Sequence, residues 1–320
     1  MEPLYDKKLK FLTEMSVILR QDVIKMLAEA GSGHSAGPLG MADIFTALYF
    51  HILNHNPKKP NWPDRDRLVL SNGHICPILY AALARAGYFK ESELKTLRKL
   101  GSRLQGHPHR SALPGLESTS GPLGSGLSQA IGMSLAARLD HNGSTTLTTS
   151  GSATLTTSGS KGASRGKHRI YCLLSDGEHQ EGNHWEAVMF AGKNRLNNLV
   201  AIIDRNNIQI DGHTEDVMPL EPLRLKYEAF NWHTLEIDGH SFEQIIAATS
   251  EAKAIYEKPT VIIAHTIPGR GVDFMENNYL WHGMPPGISD VPGAPPKAEQ
   301  AKVALHELRT MGGKISSEHQ

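Results

Sequence analysis

The residues best suited to chemistry in this sequence are a carboxylate and a carboxamide at matched positions. Asp176 lies in SDGEHQEG (175–182), directly after the apolar run IYCLLS, and Asn206 lies thirty positions later, just after LVAIID. If the two runs are neighbouring parallel strands, both side chains emerge at the same sheet end. There they supply hard oxygen ligands for Mg2+, which fills its octahedron with water, a backbone carbonyl and phosphate oxygens. Ile208 is placed to give the carbonyl. Gly177 follows Asp176 with no side chain, so its N–H is free to approach a diphosphate at the positive end of the next helix. An aspartate after a strand also serves as a helix cap; the pairing with Asn206 across one strand–helix–strand unit favours the metal.

Histidine is the second signal. There are 17, and Gly33-His34, Gly73-His74, Gly106-His107, Gly212-His213 and Gly239-His240 set imidazoles beside glycines. Such loops present a group that accepts and donates protons near neutral pH, although a solvated loop histidine has the same local sequence.

The elements that must position these residues follow from periodicity. Residues 9–30 carry apolar positions at three- and four-residue spacing and stop at Gly31-Ser32-Gly33, which predicts an amphipathic helix. A second helix is expected over MADIFTALYFHIL, and a surface connection over 54–67, rich in Pro, Asn and charge. LVLS (68–71) reads as a short strand delivering Asn72-Gly73-His74, with a helix over about 75–86 and a Gly/Ser/Pro-rich stretch over 101–126. From Arg169 the pattern alternates: strand IYCLLSD, helix EGNHWEAVMFAGKNRL, strand LVAIID, a polar loop, helix FEQIIAATSEAKAIY and strand TVIIAHT. Strand, helix and strand with short joints predict an α/β fold with a parallel sheet flanked by helices and ligands at the strands' carboxyl ends.

Lys plus Arg (33) balance Asp plus Glu (33), which argues against nucleic acid or an anionic membrane as a partner. No apolar stretch reaches the roughly 20 residues of a membrane span, and Cys76 and Cys172 form no CxxC pair. MEPLYDKKLKFL lacks a signal-peptide core, so the cytoplasm is the expected compartment. Residues 141–166 hold a near-duplication, TTLTTSGS then ATLTTSGS, too poor in apolar residues to offset its ordering entropy; a flexible surface loop is expected, with an exposed hairpin as the alternative.

Taken in order, the motifs resemble the transketolase family. SGH (32–34) with GPLGMAD (37–43), NHNPKKPNWPDRDRLVLSNGH (54–74), GHP (106–108) with GPLGSG (121–126), the Asp176-to-Asn206 segment ending in IDG, and GRGV (269–272) with WHGMPP (281–286) follow the family's order. The resemblance implies the thiamine-diphosphate-binding fold over residues 1–285, then a linker, helix and tail over 286–320. It implies thiamine diphosphate with Mg2+, replaceable by Ca2+ or Mn2+, as cofactors. Asp176, Asn206 and the Ile208 carbonyl would hold the metal; Gly177 and His74 the diphosphate; Gly121, Pro122 and Leu123 the rest of the cofactor, with Leu123 beside the thiazolium. His34, His107 and His282 would line the channel and handle protons, and Glu181 would face a subunit interface near the cofactor. Two positions depart from the family pattern: Ser175 stands where glycine is usual, and Tyr279 where some members carry a phosphate-binding histidine.

By the same resemblance the chain lacks a pyrimidine-binding domain with the glutamate that activates the cofactor, and the acceptor-phosphate residues beyond it. The expectation is a split enzyme: a separate C-terminal subunit supplies that domain, the two chains form a heterotetramer with two of each, and the substrates are sugar phosphates exchanging a two-carbon ketol unit. The competing readings are a relative acting on another sugar (apulose or a sulfosugar), a deoxyxylulose-phosphate-type synthase, and a non-catalytic chain that only binds the cofactor.

Overall fold

A computed structural model of the chain describes residues 2–141 and 168–318; the low-complexity segment thus lies, apart from its first residue, outside the described residues. The amphipathic helix α1 (Glu2–Ala30) buries Leu12, Leu19, Val23 and Leu27, and stops where Gly31 takes φ +61° and donates to Leu27 O. A short helix α2 (Ala36–Gly40) comes first, and α3 (Ala42–Ala47) with a π-helical turn (Leu48–Ile52) replaces the single helix expected over 41–53. After strand β1 (Arg67–Leu70) come α4 (Cys76–Arg85) and α5 (Gly126–His141). Strand β2 (Ile170–Ser175), α6 (Gly182–Lys193) and strand β3 (Leu199–Arg205) form the central unit. A two-stranded ribbon, β4 (Ile208–Gln209) with β5 (Gly212–His213), leads to α7 (Thr214–Val217) and α8 (Leu223–Ala229). Strand β6 (His233–Asp238), α9 (Phe242–Ala254), strand β7 (Thr260–His265) and α10 (Lys297–Glu318) complete the chain.

Five strands make one sheet in the order β1-β2-β3-β7-β6, every neighbouring pair parallel. The fold is therefore α/β with a parallel sheet flanked by helices. Alternate side chains enter two separate cores. Val69, Cys172, Leu174, Ala201, Ile203 and Ile263 pack on one side with residues of α5, α6 and α8. Leu68, Leu70, Leu173, Ile202 and Ile262 pack on the other with α1, α3, α4 and α9. Both faces are dry, which is why the inner strands read as unbroken apolar runs rather than alternations.

Among the elements not anticipated are an edge strand and two helices. β6 lies at the sheet edge, where His233, Thr234, Glu236 and Asp238 interrupt the apolar signal. α5 carries apolar residues on several sides and begins inside a glycine-rich run, and α8 is a seven-residue helix in a stretch that reads as polar loop. The register pairs Ser175 with Asp204, so the residues after β2 and β3 leave the sheet side by side.

Candidate functional site

Asp176 is 1% exposed and caps a 3-10 turn, Gly177–Gln180, that separates β2 from α6. The element expected to face the diphosphate is thus a tight turn, and α6 begins only at Gly182; the N–H of Gly177 is not free but donates to Asp176 Oδ1 (2.7 Å). Asp176 Oδ2 accepts three bonds, from Asn207 N (2.8 Å), Arg205 Nη1 (3.1 Å) and Thr214 Oγ1 (3.1 Å). Oδ1 is therefore the oxygen with capacity left for a cation. Burial raises the Asp176 pKa, opposed by Arg205 and the backbone donors; a divalent ion would add to that opposition.

Asn206 Nδ2 donates to Asp204 Oδ2 (2.9 Å), and Asn206 Oδ1 accepts from Ile208 N (3.1 Å). Only the amide nitrogen can face a carboxylate, so the Asp204 contact fixes which way the carboxamide points. Asp204 is itself pinned by Thr266 Oγ1 (2.5 Å), and burial pushes its pKa up to about 7. One carboxylate, one carboxamide oxygen and one backbone carbonyl make the expected donor set for Mg2+ rather than a His/Cys cluster; among the described residues no group of three His, Cys, Asp or Glu forms a metal site.

Glu178 is a residue that the motif reading did not single out. It is fully buried and accepts from Ser175 N (3.1 Å), Ser71 Oγ (2.8 Å) and Gly124 N (3.1 Å), joining the ends of β1 and β2 to the 121–126 loop. Burial pushes its pKa up to about 7. An acidic residue two positions after Asp176 was visible; its inward orientation was not, because nothing local distinguishes it from the exposed Glu181.

The histidines come from three distant segments. Ser35 Oγ donates to Met284 O (2.6 Å) and Trp281 O (3.2 Å), tying the His34 loop to the His282 loop. β1 delivers His74 through Ser71-Asn72-Gly73, where a methyl group on Gly73 would fall 2.6 Å from Ser120 Oγ; only glycine lets the two loops touch. The rings of His34, His74 and His282 then form one cluster, with centroids 4.9, 5.5 and 5.2 Å apart. His107 stands beside this cluster, more exposed, and a methyl group on Gly121 would fall 4.0 Å from its ring. Its loop is pinned to α4 by Tyr80 Oη, which donates to Gln105 O (2.8 Å), and by Cys76 Sγ, which donates to Gly106 O (3.2 Å). The trio in ring contact is thus His34, His74 and His282, with His107 beside it.

Burial lowers all four imidazoles. His282 falls to about 4 and His34 to about 3, the latter helped by His282, Arg98 and His107. His74 falls well below its ordinary value and His107 is lowered, burial being the main cause in each. All four are neutral at pH 7, able to donate from one nitrogen and accept at the other.

Half of the twelve buried side-chain polar atoms without partners among the described residues lie in the same place. His34 Nδ1, His282 Nδ1, both amide atoms of Asn72, Ser120 Oγ and Gln209 Nε2 have no hydrogen bond among the described residues. Buried groups are normally satisfied, and leaving one unmade costs about 1–3 kcal/mol. A polar ligand spanning these loops would satisfy them, which is the fit expected of thiamine diphosphate. Gly121 is half-buried, while Pro122 and Leu123 are exposed on the loop that Glu178 anchors, and Glu181 packs against Gly124, exposed on the outer side.

Residues 13–298 match the family profile described as "Transketolase, thiamine diphosphate binding domain". A 6-deoxy-6-sulfo-D-fructose transketolase subunit from Clostridium sp. is 40% identical over 273 residues, covering 85% of this chain and 90% of the relative. One subunit of the apulose-4-phosphate transketolase from Phocaeicola vulgatus is 36% identical over 300 residues, 94% of each. The transketolase structure from Leishmania mexicana superposes with TM-score 0.78 at 30% identity, over 96% of this chain and 45% of that one. The chain thus spans nearly all of the two named subunits but less than half of the solved transketolase. By motif order, sheet topology and similarity, the chain belongs to the transketolase thiamine-diphosphate-binding domain family.

Proposed function

We propose that this chain is the N-terminal subunit of a two-polypeptide transketolase. It holds thiamine diphosphate and Mg2+ and, with a separate C-terminal subunit carrying the pyrimidine domain and its activating glutamate, transfers a two-carbon ketol unit from a ketose phosphate to an aldose phosphate. The observation that carries this reading is the set of six unpartnered buried polar atoms around neutral histidines beside the Asp176–Asn206 strand ends. Asp176 Oδ1, Asn206 Oδ1 and the Ile208 carbonyl are the metal ligands; the turn at Gly177, with His74, receives the diphosphate, and Gly121, Pro122 and Leu123 flank the thiazolium.

When bound, the cofactor supplies the electron sink that makes cleavage beside a ketose carbonyl feasible. The chain's own part is proton handling. A neutral imidazole accepts a sugar hydroxyl proton, and a second donates to a developing alkoxide. His34 and His282 each have an unpartnered Nδ1 for that purpose, and His107 is the more accessible third. Glu181, exposed beside Gly124, is the candidate contact with the partner near the cofactor. The assembly has two copies of each chain and works in the cytoplasm.

A second reading has specific support, since two relatives of comparable length are named for a sulfosugar and for apulose 4-phosphate. It shares the site and differs in the sugar. The test is to combine this chain with its C-terminal partner and assay ketol transfer from xylulose 5-phosphate to ribose 5-phosphate, with 6-deoxy-6-sulfofructose and apulose 4-phosphate as parallel donors. Transfer from at least one donor that vanishes in Asp176→Ala is the expected result; transfer that survives Asp176→Ala rules out the metal assignment.

A further inference from the structure

Three buried polar side chains join at the turn that carries Asp176: His179 in the turn itself, His184 on α6 and Tyr227 on α8, each exposed by 2% or less. Tyr227 Oη lies 2.9 Å from His179 Nε2 and 2.8 Å from His184 Nε2, and the two imidazole centroids are 4.1 Å apart. On its other side His179 Nδ1 lies 2.8 Å from Ser175 O and 3.1 Å from Asp176 O. The chemistry of these partners fixes every proton. A backbone carbonyl only accepts, so His179 carries a proton on Nδ1. Neither ring has a carboxylate among its hydrogen-bond partners, and burial holds both neutral at pH 7, His179 falling to about 4. His179 Nε2 is therefore a lone pair, and Tyr227 Oη donates to it. With its one proton so used, the hydroxyl accepts from His184, whose Nε2 must be the protonated nitrogen. His184 Nδ1 is then a bare lone pair, and it is among the buried atoms without a partner. The chain of donors runs one way, from His184 through Tyr227 and His179 to the carbonyls at the end of β2.

We propose that this chain is a positioning device of the metal site: it holds the Ser175 and Asp176 carbonyls, and with them the turn that aims Asp176 Oδ1 at the cation, while touching neither cofactor nor sugar. The division of labour supports it. Arg205, Asn207 and Thr214 fix the Asp176 carboxylate, whereas the main chain that carries it is held by His179, through Nδ1 and through its own N–H, which donates to Asp176 O (3.1 Å). Hydrogen bonds in series polarise one another, so each member strengthens the next. Groups that orient a metal ligand from behind tune the affinity for the ion. The inference rests on the metal assignment of the ketol-transfer reading and adds His179, Tyr227 and His184 as residues that act through Asp176.

The test uses Tyr227→Phe, which keeps the ring and deletes the hydroxyl, together with His179→Leu and His179→Asn, in the assembled two-chain enzyme. Calorimetric titration of Mg2+ at saturating thiamine diphosphate should show Kd raised about 10-fold in Tyr227→Phe and in His179→Leu, the lower end of what outer-shell losses cost. His179→Asn, whose amide N–H stands near the place of Nδ1, should recover most of that loss. Turnover at saturating metal and cofactor, and KM for ribose 5-phosphate, should stay put, because the chain touches no sugar. A lower denaturant midpoint with unchanged Mg2+ affinity, or equal losses in His179→Leu and His179→Asn, overturns the proposal. Should Tyr227→Phe not fold, the two His179 variants carry the comparison. NMR of the histidine ring nitrogens in the full chain gives a readout free of activity: His179 protonated at Nδ1 and His184 at Nε2 is expected, and His179 protonated at Nε2 overturns the chain. An unsubstituted assembly that binds no Mg2+ and cofactor removes the metal assignment and this role with it; unchanged affinity in every variant, beside a parent that binds, removes this role alone.

Discussion

The strand-end grip and the histidine channel lie side by side and are built on opposite principles. At the grip the protein satisfies itself: Asp176 Oδ2 accepts three bonds, Asp204 is pinned by Thr266 and Asn206, and Glu178 accepts from three segments. In the channel His34, His282, Asn72 and Ser120 keep buried polar atoms without partners. On the proposed reading the grip is set in advance for a cation, whereas the channel takes up its polar ligand to satisfy its open atoms. Unsatisfied groups of this kind trade stability for function.

That contrast can be broken in several ways. The largest effect belongs to Asp176→Ala, which should weaken Mg2+-dependent cofactor binding by at least about 100-fold, the upper end of what outer-shell losses cost, and should remove transfer by the assembled enzyme. Cofactor titration by calorimetry reads it directly. Arg205→Leu leaves Asp176 as a buried charge without its cation and should cost about 3–5 kcal/mol, seen as a lower denaturant midpoint. Added Mg2+ should recover part of that loss, because a divalent ion replaces the missing charge. Failure of Mg2+ to recover any would show that the carboxylate does not face the metal. In the channel the effects should invert. His282→Phe should leave the denaturant midpoint within about 1 kcal/mol of the parent, since it removes an unpartnered nitrogen, while slowing transfer by about 100- to 10,000-fold. The smallest effect concerns pH. His34 and His282 titrate near 3 and 4 in the folded chain, against about 6.5 when unfolded. Their folded values are lowered, so the unfolded state binds more protons between those limits. Their contribution to stability is present above about pH 6.5 and declines as pH falls toward 4. Imidazole resonances of both should stay in the neutral form down to about pH 5 by NMR.

The shared position of Asp176, Gly177, Asn206 and Ile208 at neighbouring strand ends was legible in the sequence, because they follow two apolar runs at fixed spacing and parallel pairing dictates where they emerge. What spacing could not show was tertiary. Glu178 looks like any acidic residue in a polar turn until Ser71 and Gly124 are seen to close on it. His34 and His282 are 248 positions apart, and tertiary contacts such as the Ser35 bonds bring their loops together. Edge strand β6 was hidden because one of its faces meets solvent.

The unpartnered atoms of the channel and the preset strand ends await thiamine diphosphate with Mg2+; that is the central claim. The most direct measurement is thermal unfolding of this chain together with its C-terminal partner, with the cofactor and metal added separately and together. The expected result is a stabilisation that requires both and is lost in Asp176→Ala, scaling with the logarithm of cofactor concentration above its Kd. No shift with both present, or an equal shift in Asp176→Ala, would contradict it.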